Sequence, residues 1–336
     1  METRKLGNLE VSAVGMGCMA FSHGYGEVPS EEYAIEAIRK AYEAGCTFFD
    51  TAEIYGKEQF FPGHNEILVG KAIAPFRGKV VLATKLFIQD ADYENGADLF
   101  TSIKGHLEKS LKNLQTNYVD LYYLHRVHES VAIEDVARVM GQLISEGLIR
   151  GWGLSQVGKD LIARAHAMTP VTAVQNLYSM MERDCEKEVL PFLLANNIGL
   201  VPFSPIASGF LSGKITKETA FSEVDDVRKF VPQLSKENIE ANQWLLNLIG
   251  EVAAKYKATN AQISLAWMLK KYPNVVPIPG SKNQERILEN LGGGKVKLSD
   301  EDFKRLEEGL NAREIAGHRG IEETQHKSFG DNWSKK

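Results

Sequence analysis

The sequence predicts an α/β fold, a single (β/α)8 barrel in which parallel strands alternate with helices. Short apolar runs alternate with longer amphipathic runs along most of the chain. This alternation is typical of a parallel sheet covered by helices, and eight such units favour a closed barrel over an open sheet. The chain has 336 residues, which exceeds the roughly 250 residues of a typical barrel and leaves room for additions.

The elements are predicted in chain order from hydrophobic spacing and from turn residues. Ser30 is a suitable N-cap for the first helix and Gly45 ends it. Strands are predicted over 13–18, 47–50, 80–84, 119–124, 149–154, 173–175, 200–203 and 275–278. Helices are predicted over 30–43, 65–73, 98–113, 133–146, 159–167, 185–196 and 261–271.

Three segments lie outside the alternation. Residues 4–11 read as an N-terminal β-hairpin that turns at Gly7-Asn8. A long loop over 204–235 follows strand seven and leads into a helix over 236–256, and a C-terminal tail covers 312–336. No linker rich in Pro, Ser or Gly divides the chain. We therefore expect one domain over 1–336, with the barrel at about 12–311 and both additions at a functional end.

Composition excludes several classes of protein. Lys and Arg number 39 against 44 Asp and Glu, a net charge of −5, so a chain-wide basic footprint for nucleic acid is absent. Three scattered cysteines predict neither a disulfide framework nor a cysteine zinc site. No apolar run approaches about 18 residues and no secretory signal opens the chain. The sequence therefore predicts a cytoplasmic protein that does not cross a membrane; it leaves the oligomeric state open.

Three ionisable residues stand directly after predicted strands: Asp50, Lys85 and His125. Parallel strands of a barrel end at one rim, so these side chains are expected to meet there, and Tyr55 can fold back over the same rim. An aspartate after a strand often caps a helix, and a lone lysine is usually solvated. As a set, however, they suit proton donation to a carbonyl oxygen, because an ammonium favours phenolate and a carboxylate fixes the ammonium.

Several motifs at these strand ends resemble the aldo-keto reductase family. They are Phe49-Asp-Thr-Ala-Glu-Ile-Tyr-Gly56, Ala83-Thr-Lys85, Asp120-Leu-Tyr-Tyr-Leu-His125, Ile149-Arg-Gly-Trp-Gly-Leu-Ser155, Phe203 to Lys214 and Ile278-Pro-Gly-Ser-Lys282. The resemblance runs in order over about 4–311. It implies an NADPH-dependent carbonyl reductase with Tyr55 as the acid/base, Asp50 and Lys85 as its tuning pair, and His125 as the residue that orients the carbonyl.

The resemblance also implies a binding site for NADPH or NADP+. Ser155, Gln156 and Gln175 are expected to hold the nicotinamide amide, and Phe203 to stack on the ring. The small residues over 204–214 can present backbone N–H groups to a pyrophosphate. Charged residues after strand eight are expected at the adenosine 2′-phosphate. The remaining predicted cofactor residues are Ser204, Pro205, Ile206, Gly209, Leu211, Gly213, Lys214, Gly280, Ser281, Lys282, Arg286, Glu289 and Asn290.

The rim loops suggest a partly apolar mouth for a small-molecule carbonyl substrate. The candidate substrate contacts are Met19, Tyr25, Phe87 and Arg126. Arg126 either meets an anionic group or forms a surface ion pair. The tail carries His318, Arg319, His326, Phe329 and Trp333, which could cover the mouth or make an oligomer contact.

Two other functions stay open at this point. The β-subunits of ion channels resemble the same family and act as cofactor-sensing binding subunits. A metal-dependent barrel hydrolase is the other alternative, although the sequence offers only the pair His125 and His128 as ligands. Gly15-Met-Gly-Cys-Met-Ala20 matches the dinucleotide fingerprint, but the glycines and the proline over 24–29 prevent the helix that this motif requires.

Overall fold

The structure is a computed structural model that describes residues 1–320, with the side chain of Asn95 left out of the description. It begins with the predicted hairpin, formed by the antiparallel strands β1 (Thr3–Leu6) and β2 (Leu9–Ser12). Gly7 makes the turn with a φ of 56°, where a Cβ atom would lie 3.2 Å from the side chain of Thr172. The hairpin packs against the interior of the strands that follow.

Seven parallel strands pair with one another in chain order. They are β3 (Met16–Gly17), β4 (Phe48–Asp50), β5 (Val81–Leu86), β6 (Leu121–Leu124), β7 (Trp152–Ser155), β8 (Ala173–Gln175) and β9 (Gly199–Leu200). Each is joined to the next by helical crossovers or loops, as the alternation of apolar and amphipathic runs predicted. The fold class is therefore the predicted one.

The segment over 275–280 takes the place of the eighth strand. The N–H of Val276 donates to Leu200, and the N–H of Gly15 donates to Pro277. Single parallel bridges join this segment to β9 and to β3. It is not a regular strand because Pro277 and Pro279 lack the N–H groups that a ladder needs. The segment nevertheless closes the sheet between its last and first strands.

Helices surround the sheet. They are α1 (Glu31–Glu43), α2 (His64–Ile73), α3 (Leu99–Leu114), α4 (Ile133–Ser145), α5 (Lys159–Met168), α6 (Val189–Ala195), α7 (Lys236–Ala241), α8 (Gln243–Tyr256), α9 (Asn260–Lys271), α10 (Gln284–Gly292) and α11 (Asp300–Ala312). None of the helices within residues 1–320 is both long and apolar enough to span a bilayer.

Two predicted helices have different bounds in the structure. The helix expected over 185–196 begins only at Val189, because Pro191 fits the first turn of a helix and not its interior. The helix expected over 236–256 is divided into α7 and α8 at Asn242. The buried side chain of Asn242 donates to the backbone carbonyl of Ala316 and accepts from the backbone N–H of Ala316. The break between the two helices therefore depends on a contact with the tail.

Side chains of the strands alternate between the interior of the barrel and the surrounding helices. Phe49, Leu82 and Tyr122 pack outward against helices. Their neighbours point inward and form a second core with the hairpin: Leu6, Leu9, Val11, Phe48, Ala83, Leu121, Tyr123, Ala173, Val201, Val276 and Ile278. This alternation decides which residues at the strand ends reach the interior.

The interior is packed closely enough that Gly153 in β7 has no room for a methyl group. A Cβ atom there would lie 2.3 Å from the carbonyl oxygen of Ala173 and 2.6 Å from the ring of Tyr123. We expect Gly153→Ala to lower the free energy of unfolding by about 3 kcal/mol, measured by urea titration. The control is Gly105→Ala in α3, where nothing lies within 4 Å; it should raise stability by about 1 kcal/mol. Equal effects of the two variants would contradict the packing described.

Candidate active site

Polar side chains follow the inward-facing residues of five strands by two positions. Because strand residues of the same parity face the same side, these side chains also point to the interior, at the carboxyl ends of the strands. They are Asp50, Lys85, His125, Ser155 and Gln175. The structure thus brings the three predicted strand-end residues together at one rim, as barrel geometry requires.

Lys85 lies at the centre of this group and is completely buried. Its Nζ atom is 2.5 Å from Oδ1 of Asp50, 2.7 Å from the carbonyl oxygen of Thr51 and 3.0 Å from the hydroxyl of Tyr55. The second carboxylate oxygen of Asp50 accepts a hydrogen bond of 2.8 Å from the side-chain amide of Gln175. Each donor of the ammonium therefore has an acceptor, and one of these acceptors is the tyrosine hydroxyl.

Burial and charge act in opposite directions on these groups. Burial lowers the pKa of Lys85, but the Asp50 carboxylate and the Tyr55 hydroxyl hold it above its ordinary value. Burial raises the pKa of Tyr55, and the Lys85 ammonium opposes that rise. The phenol is therefore protonated at neutral pH, with a cation in place to stabilise the phenolate that proton donation would leave.

His125 stands across from Tyr55. The ring centroids are 5.7 Å apart and the rings meet edge to face. Burial keeps the pKa of His125 well below its ordinary value, and the positive charge of Arg126 adds to this effect. The Nδ1 atom is buried without a hydrogen-bond partner in the described part of the chain. His125 is therefore a neutral imidazole with hydrogen-bonding capacity to spare.

A polar network fixes the loop that carries Tyr55. Glu53 accepts a hydrogen bond from the N–H of Phe87 with one oxygen, and its other oxygen lies 2.8 Å from Nδ1 of His106. The Nε2 atom of His106 is 3.1 Å from Asp92. Because β5, α3 and the loop before Tyr55 all contribute, the position of the hydroxyl is set by more than its own bond to Lys85.

Asp50, Tyr55 and His125 line a cavity of about 430 Å³, and Lys85 lies behind its wall. Its wall includes the predicted contacts Met19, Tyr25 and Arg126, and the predicted cofactor residues Ser155, Gln156, Gln175, Phe203, Ser204 and Gly280. Phe87 does not line it: the ring lies edge-on to His125, with centroids 6.3 Å apart. The cavity combines amide groups, an aromatic face and the buried tyrosine at a single place.

Comparisons with known proteins place the chain in a family. The model of the Aldo/keto reductase family matches residues 13–311. A probable aldo-keto reductase of Glycine max is 37% identical over 332 residues, which cover 97% of this chain and 93% of that protein. The chain belongs to the aldo/keto reductase family. Members of the family are oxidoreductases that use NADP(H).

Two solved structures share the fold. A thermostable aldo-keto reductase in complex with the inhibitor epalrestat is 30% identical, with a TM-score of 0.73; the match covers 92% of this chain and all of that one. The glycerol dehydrogenase of Gluconobacter oxydans is 26% identical, with a TM-score of 0.79; the match covers 92% of this chain and 95% of that one. Both are barrels of the reductase family, as the fold described above is.

The residues around the cavity fit the cofactor of an aldo-keto reductase. Backbone φ angles are positive at Ser204 (49°), Ala207 (49°), Ser208 (54°) and Gly209 (99°). The N–H groups of Ala207 and Gly209 close this turn by donating to the carbonyls of Ser204 and Ile206. Phe203 offers an aromatic face, and Ser155, Gln156 and Gln175 provide polar atoms for an amide. The polar atoms and the aromatic face on the cavity wall fit the nicotinamide end of the dinucleotide, and the compact turn that begins at Ser204 adjoins them.

Other predicted cofactor residues lie away from the cavity wall or have a different partner. Lys214 forms an ion pair of 3.0 Å with Glu289. The Lys282 ammonium donates to the backbone carbonyls of Tyr25 and Glu27. Arg286 is exposed on α10. Residues outside the lining are Pro205, Ile206, Gly209, Leu211, Gly213, Ser281 and Asn290. Their contacts with the cofactor stay predictions.

Several residues of the cavity lining were missed by the sequence reasoning, and His23 is the one nearest to the proposed chemistry. His23 lies with its ring 5.2 Å from that of Tyr55, and its Nδ1 atom is 3.2 Å from Glu58. Its position in the loop after the first strand was the available signal. Arg319 belongs to the tail and donates from Nε to Ser208 over 2.8 Å. The sequence analysis names this residue among those of the tail that could cover the mouth, but it does not predict the contact with Ser208. The tail residues His326, Phe329 and Trp333 lie outside the described residues.

The network around His106 predicts a specific dependence of stability on pH. The hydrogen bond to Glu53 raises the pKa of His106 to about 9, against the effect of burial, and Asp92 adds to the rise. A pKa that is higher in the folded state stabilises the protein fully below the unfolded value near 6.5, and this stabilisation is lost as the pH rises through 9.

We therefore expect His106→Gln to be less stable than the wild type at pH 6, with the gap closing between pH 7 and 10. Urea unfolding of both proteins across this range measures the gap. A gap that does not change with pH would show that His106 is not charged in the folded protein.

Proposed function

We propose that the protein reduces aldehydes or ketones to alcohols, with NADPH as the hydride donor and Tyr55 as the proton donor. The observation that carries this proposal is the buried contact between the Tyr55 hydroxyl and the Lys85 ammonium, 3.0 Å apart at the cavity. Membership of the aldo/keto reductase family supports oxidoreduction of carbonyl compounds.

The residues divide the chemistry among them. When bound, the nicotinamide supplies a hydride to the carbonyl carbon. The Tyr55 hydroxyl donates its proton to the carbonyl oxygen, so that the product is a neutral alcohol. The Lys85 ammonium stabilises the phenolate left behind, and Asp50 holds that ammonium in place. The phenol recovers its proton from solvent after the alcohol has left the cavity.

His125 orients the substrate. Its pKa is held well below the ordinary value, chiefly by burial, so the imidazole is neutral at pH 7 and can donate a hydrogen bond to the carbonyl oxygen without delivering its own proton. Tyr55 and His125 are neighbours across the cavity, with ring centroids 5.7 Å apart. Two donors on one oxygen align the carbonyl and favour charge development on that atom.

The cofactor is proposed to lie along the wall that carries the amide groups. The nicotinamide amide is held by Ser155, by Gln156 and by the side-chain carbonyl oxygen of Gln175. Phe203 supports the nicotinamide ring. The compact turn over 204–209 is proposed to lie beside the pyrophosphate, where Arg319 adds a positive charge next to Ser208. Arg286, which is exposed on α10 and forms no ion pair within residues 1–320, is proposed to meet the 2′-phosphate.

A substitution tests the role of Tyr55. We expect Tyr55→Phe to lower kcat for NADPH oxidation by about 100-fold or more with any carbonyl substrate, because the ring stays and the proton donor is removed. A panel of simple aldehydes and ketones, followed by absorbance of NADPH, measures this effect. Tyr42→Phe on α1, where the ring stacks on Phe76, is the matched control and should keep full activity. Undiminished turnover in Tyr55→Phe would refute the assignment.

The same panel separates an enzyme from a cofactor-sensing binding subunit. A binding subunit would bind NADPH with micromolar or better affinity and turn over none of the carbonyl classes, in the wild type as in the variant. Measurable turnover that depends on Tyr55 identifies the protein as a reductase.

The coenzyme preference is tested at Arg286. We expect Arg286→Gln to weaken NADPH binding by about tenfold, because a charge-assisted contact with the 2′-phosphate is lost. Binding of NADH, which lacks this phosphate, should change less than twofold. Fluorescence titration measures both dissociation constants, and Arg305→Gln, whose guanidinium pairs with Glu251 on the surface, is the control. Equal losses for both coenzymes would place the 2′-phosphate elsewhere.

A further inference from the structure

Arg126 is a charged side chain in the cavity that has no carboxylate partner among residues 1–320. It follows His125 directly, and its guanidinium lines the cavity. One nitrogen donates to the hydroxyl oxygen of Ser155 over 3.0 Å and to the carbonyl oxygen of His125. Both acceptors are neutral. Within residues 1–320, no acidic side chain lies within ion-pair distance of this arginine.

The half-buried arginines outside the cavity find acidic partners or carbonyls at a helix end. Arg77 lies 2.8 Å from Asp120 and Arg228 lies 2.5 Å from Asp226. Arg4 donates to carbonyl oxygens at the end of α9. Burying a guanidinium without an anion is costly. The unpaired position of Arg126 therefore points to an anion that the ligand supplies.

The charges in the cavity support an anionic ligand. Among the described residues, three charged side chains line it: Asp50, Arg126 and Arg319. The Asp50 carboxylate is occupied by Lys85 and Gln175, which leaves two guanidinium groups. They belong to different parts of the cavity, because Arg319 contacts Ser208 in the turn proposed for the pyrophosphate, whereas Arg126 contacts Ser155 and His125 beside the reacting tyrosine.

We propose that Arg126 is a specificity residue that binds a carboxylate of the substrate, so that the preferred substrates are aldehydes or ketones carrying an acid group. This inference rests on the proposed function and names its substrate class. The planar guanidinium can bind both oxygens of a carboxylate, while His125, its neighbour in the chain, binds the carbonyl. A carbonyl acid that spans the two contacts is oriented at both ends.

The test compares acids with their neutral esters. The substrates are 4-carboxybenzaldehyde and 4-oxobutanoate, each against its methyl ester, with NADPH oxidation as the assay. In the wild type we expect kcat/KM to be higher for the acids. In Arg126→Gln we expect kcat/KM for the acids to fall by about 30-fold or more, with the esters changed less than threefold. Arg126→Lys keeps the charge without the planar fork and should recover part of the loss.

A binding measurement keeps the proposal independent of turnover. Calorimetry of the two acids against protein saturated with NADP+ should show tighter binding than for the esters, and Arg126→Gln should abolish the difference. Arg138→Gln, whose guanidinium pairs with Asp135 on the surface of α4, should behave as the wild type does.

Three outcomes would overturn the proposal. The first is that the wild type does not distinguish acid from ester in either measurement. The second is an equal loss for acids and esters in Arg126→Gln, which would make the residue a support of Tyr55 and His125. The third is that NADPH affinity falls while the acid preference survives, which would assign the guanidinium to a cofactor phosphate. Failure of the proposed function is recognised separately, because the wild type would then fail to oxidise NADPH with any carbonyl compound.

Discussion

The Lys85 ammonium is buried completely and lies 2.5 Å from the Asp50 carboxylate. Two opposite charges in the interior of a barrel are stable only when their hydrogen bonds are satisfied. The carbonyl of Thr51, the hydroxyl of Tyr55 and the amide of Gln175 complete the arrangement. The hydroxyl thus belongs to the set that keeps the ion pair stable, and this requirement places the tyrosine where a proton donor is needed.

The barrel makes this arrangement possible through the alternation of its strands. Inward-facing apolar residues fill the interior, and the next inward position on β4, β5, β7 and β8 carries a polar group at the rim. The loops and the tail contribute further residues to the site. The Glu53–His106 network holds the segment before Tyr55, and the tail brings Arg319 to the turn after β9. In barrel enzymes the strand ends usually carry the catalytic residues, and the loops after the strands supply the rest of the site.

Much of this could be read from the sequence because it depends on short-range patterns. The alternation of runs predicts the sheet, and residues directly after strands predict the rim. The rest depends on contacts between distant segments. Asn242 divides α7 from α8 through its bonds to Ala316, and the amide of Gln175 is engaged by Asp50. Arg126 has no acidic partner among the residues described, a fact about three-dimensional neighbours that spacing along a chain cannot provide.

The proposed mechanism is tested most directly by following deuterium from NADPH labelled at the transferring position of C4. It predicts that the wild type places one deuterium on the carbinol carbon of the product. It also predicts that Lys85→Met, which removes the ammonium beside Tyr55, transfers deuterium at least about 100-fold more slowly while binding NADPH as tightly. Product without deuterium in the wild type, or an unchanged transfer rate in Lys85→Met, would contradict it.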